Sequence, residues 1–444
     1  MTTTNQQLVD VESLKERLER GFTPVSRSGY VTAVTGTIVR AAIPDVRVGE
    51  LCRIERGAEP PLDAEVIGFD RQDILLVPLG RIDSIPYKAR VEPVGSAPTV
   101  PCGALVCGRV LDAVGHPLDN GPGLANAERT PLMAPPPHAL NRIPINQPLS
   151  TGVRPIDGLL TIGRGQRVGI FAGAGVGKST LLSAIARNAD ADTIVLALIG
   201  ERGREVRGFI EDDLKKEGMA KSTVVVSTSD QPALLRLRAA YTATAIAESA
   251  RAKGHRVVLM MDSVTRFARA LRDVGLAAGE PPGRQGFPAS VFATLPLLFE
   301  RAGNDEYGSI TAFYTVLVTG DDMSEPVADE TKSLLDGHIV LSRKLAQRQH
   351  YPAIDISQSV SRVMNAVITP RHRKLAEYLK EIISVYEQNE DKITLGLYVE
   401  GTDERIDRAR NRIKDVQAFL TRRGSVNLAA SLSEMETLCG KDLA

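Results

Sequence analysis

The residues best placed to do chemistry lie in the run Ala172-Gly173-Ala174-Gly175-Val176-Gly177-Lys178-Ser179. An apolar stretch, Val168-Gly169-Ile170-Phe171, leads into it, and Thr180 leads out into the helical Leu181-Leu182-Ser183-Ala184-Ile185. Glycines let successive backbone N–H groups point inward at phosphate oxygens with no Cβ in the way. The start of the following helix adds the positive end of its dipole. In such a loop Lys178 reaches the β- and γ-phosphates and Ser179 ligates Mg²⁺. The expected ATP-binding set is therefore Gly173, Ala174, Gly175, Val176, Gly177, Lys178, Ser179 and Thr180. One departure stands out: Ala172 occupies the place of the usual first glycine, which works only if that position needs no positive φ.

Two further acidic positions belong to the same chemistry. Val257-Val258-Leu259-Met260-Met261-Asp262 reads as a buried strand ending in a carboxylate. At the carboxyl edge of a sheet, opposite a phosphate loop, Asp262 can hold Mg²⁺. Leu198-Ile199-Gly200-Glu201-Arg202-Gly203-Arg204-Glu205 closes another predicted strand. A carboxylate there could polarise a water attacking the γ-phosphate. Spacing alone does not rank Glu201 against Glu205, and both could equally form surface ion pairs with Arg202, Arg204 and Arg207.

The elements that must position these groups can be drawn from the pattern. Between about 165 and 345, apolar strands alternate with glycine turns and helices. The strands expected are Arg167–Ala172, Thr193–Ile199, Thr223–Ser227, Arg256–Met261 and Ser309–Val318. Near-continuous apolar runs of this kind imply a parallel sheet covered on both faces. Before it, residues 25–98 carry short β-type runs, among them Tyr30–Val34, Gly36–Val39, Ala64–Gly68 and Ile74–Val77. Gly, Pro and Asp punctuate them as in a small antiparallel barrel. Residues 1–24 contain an amphipathic helix over 5–20, with Leu8, Val11, Leu14 and Leu18 on one face. Residues 366–444, rich in Lys, Arg, Glu and Leu, read as mostly helical. The segment 279–288 is rich in Gly and Pro and reads as a loop.

Composition sets outer bounds. With 444 residues the chain suggests two or three domains. Lys plus Arg and Asp plus Glu number 54 each, and there is no Trp. A zero formal charge and scarce aromatics argue against a nucleic-acid protein. Cys52, Cys102, Cys107 and Cys439 lack metal or redox spacing, so free thiols in a reducing cytosol are expected. Met1 to Val11 lacks an apolar signal core, and no run is long enough to cross a bilayer. The expected location is cytoplasmic, with any membrane association through a partner.

Longer motifs carry a resemblance. Gly200-Glu201-Arg202-Gly203-Arg204-Glu205-Val206, Met261-Asp262-Ser263-Val264-Thr265-Arg266, Phe299-Glu300-Arg301-Ala302-Gly303-Asn304 and Gly320-Asp321-Asp322-Met323-Ser324-Glu325-Pro326 are four of them. Asp336–Arg343 and His350-Tyr351-Pro352-Ala353-Ile354-Asp355 complete the set. Together they resemble the type III protein-export ATPases of the injectisome or flagellum, which are similar in turn to the catalytic subunit of rotary ATP synthases. The resemblance spans nearly the whole chain and is weakest over the first 25 and last 60 residues. Thr311–Val318 leans toward the injectisome.

The resemblance implies an α/β fold: a RecA-like P-loop core, here 99–365, between the N-terminal β-barrel and the C-terminal helical domain. It matches Glu201 to the catalytic carboxylate, and Arg202 and Arg266 to basic residues near the phosphates. Tyr351 matches the ring that stacks on adenine. Arg362 matches an arginine that reaches the γ-phosphate of a neighbouring subunit. A homohexameric ring follows, with nucleotides at its interfaces and a central channel that 279–288 would face. The partners implied are a regulatory, stator-type protein at the N-terminal helix, a central stalk protein, an export-gate membrane protein and chaperone–cargo complexes. The protein would sit peripherally on the inner membrane through that apparatus. Two rivals are a rotary-ATPase catalytic subunit, which needs an alternating non-catalytic partner although this chain carries its own Arg362, and a hexameric RNA helicase. For the latter, residues 29–98 offer only Tyr30, Phe69 and Tyr87, with no basic–aromatic motif.

Overall fold

Alternation of apolar and polar residues organises the first part of the chain. Cys52 and Ile54, Leu62, Ala64 and Val66, and Ile74 and Leu76 all turn into one small core. In the computed structural model, which describes residues 27–440 apart from 96, 319 and 321, six antiparallel strands close around that core. Their order is Gly29–Thr35, Ile38–Ala42, Asp73–Pro78, Glu59–Asp70, Leu51–Arg56 and Arg90–Pro93, the last pairing back with the first. Closure removes the free edges that would otherwise template aggregation. The barrel is as expected, but Leu51–Arg56 and Arg90–Pro93 were not foreseen: Arg, Glu and Pro interrupt their apolar pattern. This unit ends at Ser96. The amphipathic helix expected over 5–20 lies outside the described residues.

A second compact unit begins at Ala97. Its sheet runs Ile354–Ser361, Gly337–Leu341, Arg167–Ala172, Ser309–Leu317, Arg256–Asp262, Thr193–Glu201, Ser222–Thr228, Val110–Asp112. All neighbours are parallel except the first pair, and the short Gly303–Asn304 pairs antiparallel on Ser309–Leu317. The five strands drawn from the sequence are its centre. The flanking strands add edges that are shorter or polar on one side. Helices such as Lys178–Asn188 and Ala233–Ala252 cover the faces, which is why the central strands are buried along almost their whole length.

The C-terminal helices share this unit's core. Thr369 caps Pro370–Thr394, its Oγ1 accepting from the His372 amide at 3.2 Å. Leu375, Leu379, Ile382 and Ile383 then bury one face at helical spacing. Phe419 of Glu404–Thr421 and Met435 of Leu428–Cys439 meet the short helix Arg154–Leu159. The approach is close: a Cβ on Gly158 would lie 2.7 Å from the Met435 sulfur. Residues 279–288 do form a loop, broken by a single turn at Arg284–Gly286. Among the described residues no helix is long and apolar enough to cross a membrane.

Candidate active site

Strand Arg167–Ala172 delivers the phosphate loop from the middle of the sheet. Ala172 stays in the strand, paired with Leu317 and Leu341, so its side chain is tolerated where a glycine was expected. The left-handed positions fall later, at Gly175 (φ 77°) and Gly177 (φ 91°), where only glycine is at ease. Helix Lys178–Asn188 starts immediately after, leaving Ser179 and Thr180 exposed in its first turn.

Strand order brings the acidic residues to this helix start. The Asp262 strand lies one strand away from the loop strand, and the Glu201 strand is the next one along. The Lys178 ammonium contacts the Asp262 carboxylate directly and lies 3.8 Å from Glu201 Oε1. Thr315, on the strand between, donates its hydroxyl to Asp262 Oδ1 at 2.8 Å. Arg266 Nε stands 3.7 Å from Glu201 Oε1 on the other side. Ser263 caps the Arg266 helix by accepting from the Arg266 amide at 3.3 Å. One lysine thus bridges two carboxylates from different strands, as a cation clamp awaiting phosphate would.

Burial, followed by the negative charge of Asp262, raises the pKa of Glu201, while Lys178 and Arg266 oppose the shift. At Glu205 burial works against ionisation, but a hydrogen bond shared with Glu201 and the charges of Arg202 and Arg204 pull its pKa down. Of the two carboxyls, Glu201 is therefore the one that ionises at higher pH. A buried carboxyl with an elevated pKa, beside a phosphate loop, is the environment a general base needs.

Other expected site residues are placed differently. Arg202 turns outward: its guanidinium pairs with Glu205 at 3.1 Å and its side chain is 65% exposed. Arg362 follows the edge strand Ile354–Ser361 at the end remote from its own phosphate loop. Ser361 pairs with Gly337, whereas Leu341, level with Ala172, pairs with Ile354. That offset is about 13 Å along the strands. Arg362 is exposed, with its guanidinium 3.4 Å from the Lys332 carbonyl. Tyr351 does sit at the loop: its ring lies 3.5 Å from where a Cβ on Gly177 would be.

Tyr351 and Gly177 also line a cavity of about 620 Å³ with Thr180, Leu181 and Pro352. Another wall is Leu420–Ser425, the end of helix Glu404–Thr421 and the start of the link to helix Leu428–Cys439. No local motif marks those residues. The apolar Leu420 followed by Arg422-Arg423-Gly424 was the available signal, and it reads as an ordinary helix end.

Residues 152–361 match the ATP synthase alpha/beta family nucleotide-binding domain, and residues 368–437 match the T3SS EscN ATPase C-terminal domain. The flagellum-specific ATP synthase of Bacillus subtilis (strain 168) is 50% identical over 385 residues, covering 86% of this chain and 88% of that protein. The chain belongs to the type III secretion and flagellum-specific ATPase family. It is an ATPase. The type 3 secretion system ATPase of Sinorhizobium fredii (strain NBRC 101917 / NGR234) is 48% identical over 411 residues, covering 92% and 91% of the two chains. The structure of assembled EscN from the enteropathogenic E. coli type III secretion system superposes with a TM-score of 0.87 at 44% identity, covering 92% of this chain and 99% of that one. EscN in complex with its central stalk EscO gives 0.85 at 44% identity, with the same coverages. The expected fold and family are met, with flagellum-specific and secretion relatives at almost equal identity.

Proposed function

We propose that this ATPase works as a homohexameric ring at the inner face of a type III export apparatus, releasing chaperones and unfolding cargo. The observation that carries the reading is the meeting of Lys178, Asp262 and Glu201 at one helix start, with Arg362 far from them in its own chain. A site lacking its arginine finger is completed by a neighbouring copy. The assembled relative EscN and its stalk complex support a ring around a central stalk protein. In this reading the N-terminal helix takes a regulatory, stator-type protein, an export-gate membrane protein anchors the ring, and 279–288 faces the channel.

In the reaction, ATP enters with its triphosphate over Gly173–Gly177, and the Lys178 ammonium exchanges Asp262 for phosphate oxygens. Asp262 and the Ser179 hydroxyl are hard oxygen donors that suit Mg²⁺, which takes one or two protein ligands besides phosphate and water. Held by Asp262 and Ser179, the ion would supply charge neutralisation at the β- and γ-phosphates. Glu201 orients the attacking water and accepts its proton, and Arg266 holds the Glu201 carboxylate in place. Adenine stacks on Tyr351 in the cavity closed by Leu420–Ser425.

The pH profile tests the base. Glu201 accepts a proton only when ionised, and burial with Asp262 raises its pKa above the ordinary 4.5. The acidic limb of kcat/KM therefore lies at higher pH than an exposed glutamate would give, activity falling as pH falls through it. Glu201→Gln is expected to bind ATP almost normally, lose roughly 10²–10⁴-fold in kcat and lose that limb. A dead Glu205→Gln beside an active Glu201→Gln would reverse the assignment.

A further inference from the structure

Arg154 is almost fully buried, yet it is neither a core residue nor part of the phosphate chemistry. It opens the short helix Arg154–Leu159, directly after Gly152 and Val153 of the cavity wall. Its guanidinium forks onto Glu434 of the last helix, Nε to Oε2 at 2.9 Å and Nη2 to Oε1 at 3.1 Å. Its Nη1 donates to the Arg422 carbonyl at 3.1 Å and the Gly424 carbonyl at 2.7 Å. The segment 422–427 has no helix or strand of its own, so these bonds supply backbone satisfaction that secondary structure does not. The last helix is tied down at its start as well, the Leu428 amide donating to Ser150 Oγ at 3.0 Å.

We propose that Arg154 and Glu434 are positioning residues for nucleotide affinity: the fork holds Leu420–Ser425 as the wall that the base of ATP packs against. The proposal rests on reading the Tyr351 cavity as the base pocket. The planar fork matters because it fixes orientation as well as distance, which a single lysine contact would not. Arg154 borders the cavity, whereas Lys178, Asp262 and Glu201 do not. The clamp therefore governs the base and leaves the phosphates and the chemical step alone. Coupling is reciprocal, so bound nucleotide in turn steadies helix Leu428–Cys439.

The test is full-length Glu434→Ala, which leaves Arg154 its two carbonyl bonds and alters a side chain that is already 25% exposed. Affinity is measured for Mg·ATP and for inorganic tripolyphosphate, which has no base, together with kcat at saturation. Glu434→Ala is expected to weaken ATP roughly 2- to 30-fold, the range of couplings carried through intervening residues. Tripolyphosphate affinity and kcat stay as in wild type, and Glu434→Gln, which keeps one acceptor, recovers part of the loss. Tyr351→Ala is the companion variant and should also lose ATP but not tripolyphosphate. Equal weakening of both ligands by Glu434→Ala would make the fork merely structural and overturn the proposal. Unchanged ATP affinity in Glu434→Ala, with a selective loss in Tyr351→Ala, would overturn the clamp and leave the base pocket standing. If neither variant alters the ratio of the two affinities, the base-pocket reading falls and the clamp with it.

Discussion

Lys178→Ala loses hydrolysis by at least about 10²–10³-fold, the scale of one preorganised charge removed from a water-poor site, and binds ATP weakly. The ammonium touches both Asp262 and Glu201, carried on two different strands. Removing it also leaves those carboxylates facing each other with Asp262 only 5% exposed. Removing one partner of a buried ion pair costs up to about 3–5 kcal/mol, less where Thr315 still donates to Asp262, so the variant should melt below wild type at pH 8. The sign of the pH dependence follows from the pair. Without the lysine a charge that opposed the shift is gone, and Glu201, whose pKa burial and Asp262 already raise, holds its proton more tightly in the folded than in the unfolded protein. Stability of that kind is present at low pH and lost as pH rises, so the deficit shrinks when melts are repeated toward pH 5. Turnover near wild type would remove the phosphate loop from its role. A melting deficit independent of pH would remove the two-carboxylate account of Lys178.

What the sequence made legible was local. Glycine spacing, Lys178, Ser179 and a strand ending in Asp262 lie within short contiguous runs, and the physics that fixes them is local too. Glu201 could not be ranked against Glu205 from spacing. The distinction comes from strand order, which buries Glu201 beside Lys178 and leaves Glu205 among arginines. Arg202 shows the converse: the resemblance matched it to a basic residue near the phosphates. The register of strand Thr193–Glu201 shifts between Ile199 and Glu201, Gly200 takes φ 68°, and Arg202, just past the strand, turns to solvent. The wall at Leu420–Ser425 was invisible for a different reason. Its anchor, Arg154, lies 270 residues before Gly424, and no periodicity reports a contact at that separation. The edge strand Ile354–Ser361 was read only as motif, because its exposed face breaks the apolar run that marked the central strands.

Arg362→Ala abolishes the rise of specific activity with enzyme concentration while leaving ATP binding and assembly in place. The expected loss in assembled protein is roughly 10³–10⁵-fold, the contribution of an arginine finger to charge stabilisation in phosphoryl transfer. Geometry sets this apart from the lysine variant. Arg362 trails the edge strand about 13 Å along the strand direction from the level of its own loop, exposed, with its guanidinium at the Lys332 carbonyl. An arginine so placed acts on another copy's nucleotide or on none. Mixing Arg362→Ala with Lys178→Ala decides between these. A mixed interface pairs an intact loop from the first variant with an intact arginine from the second, which neither parent forms alone, so activity should return on mixing. Titrating Lys178→Ala into wild type calibrates how strictly the interfaces depend on one another. A shallow, proportional loss there, together with background activity at every mixing ratio of exchanged subunits, would place the action of Arg362 within its own chain. A steep loss at low mutant fraction would mean that one dead interface stops the ring, and rescue is then sought at limiting ATP, where single sites turn over independently.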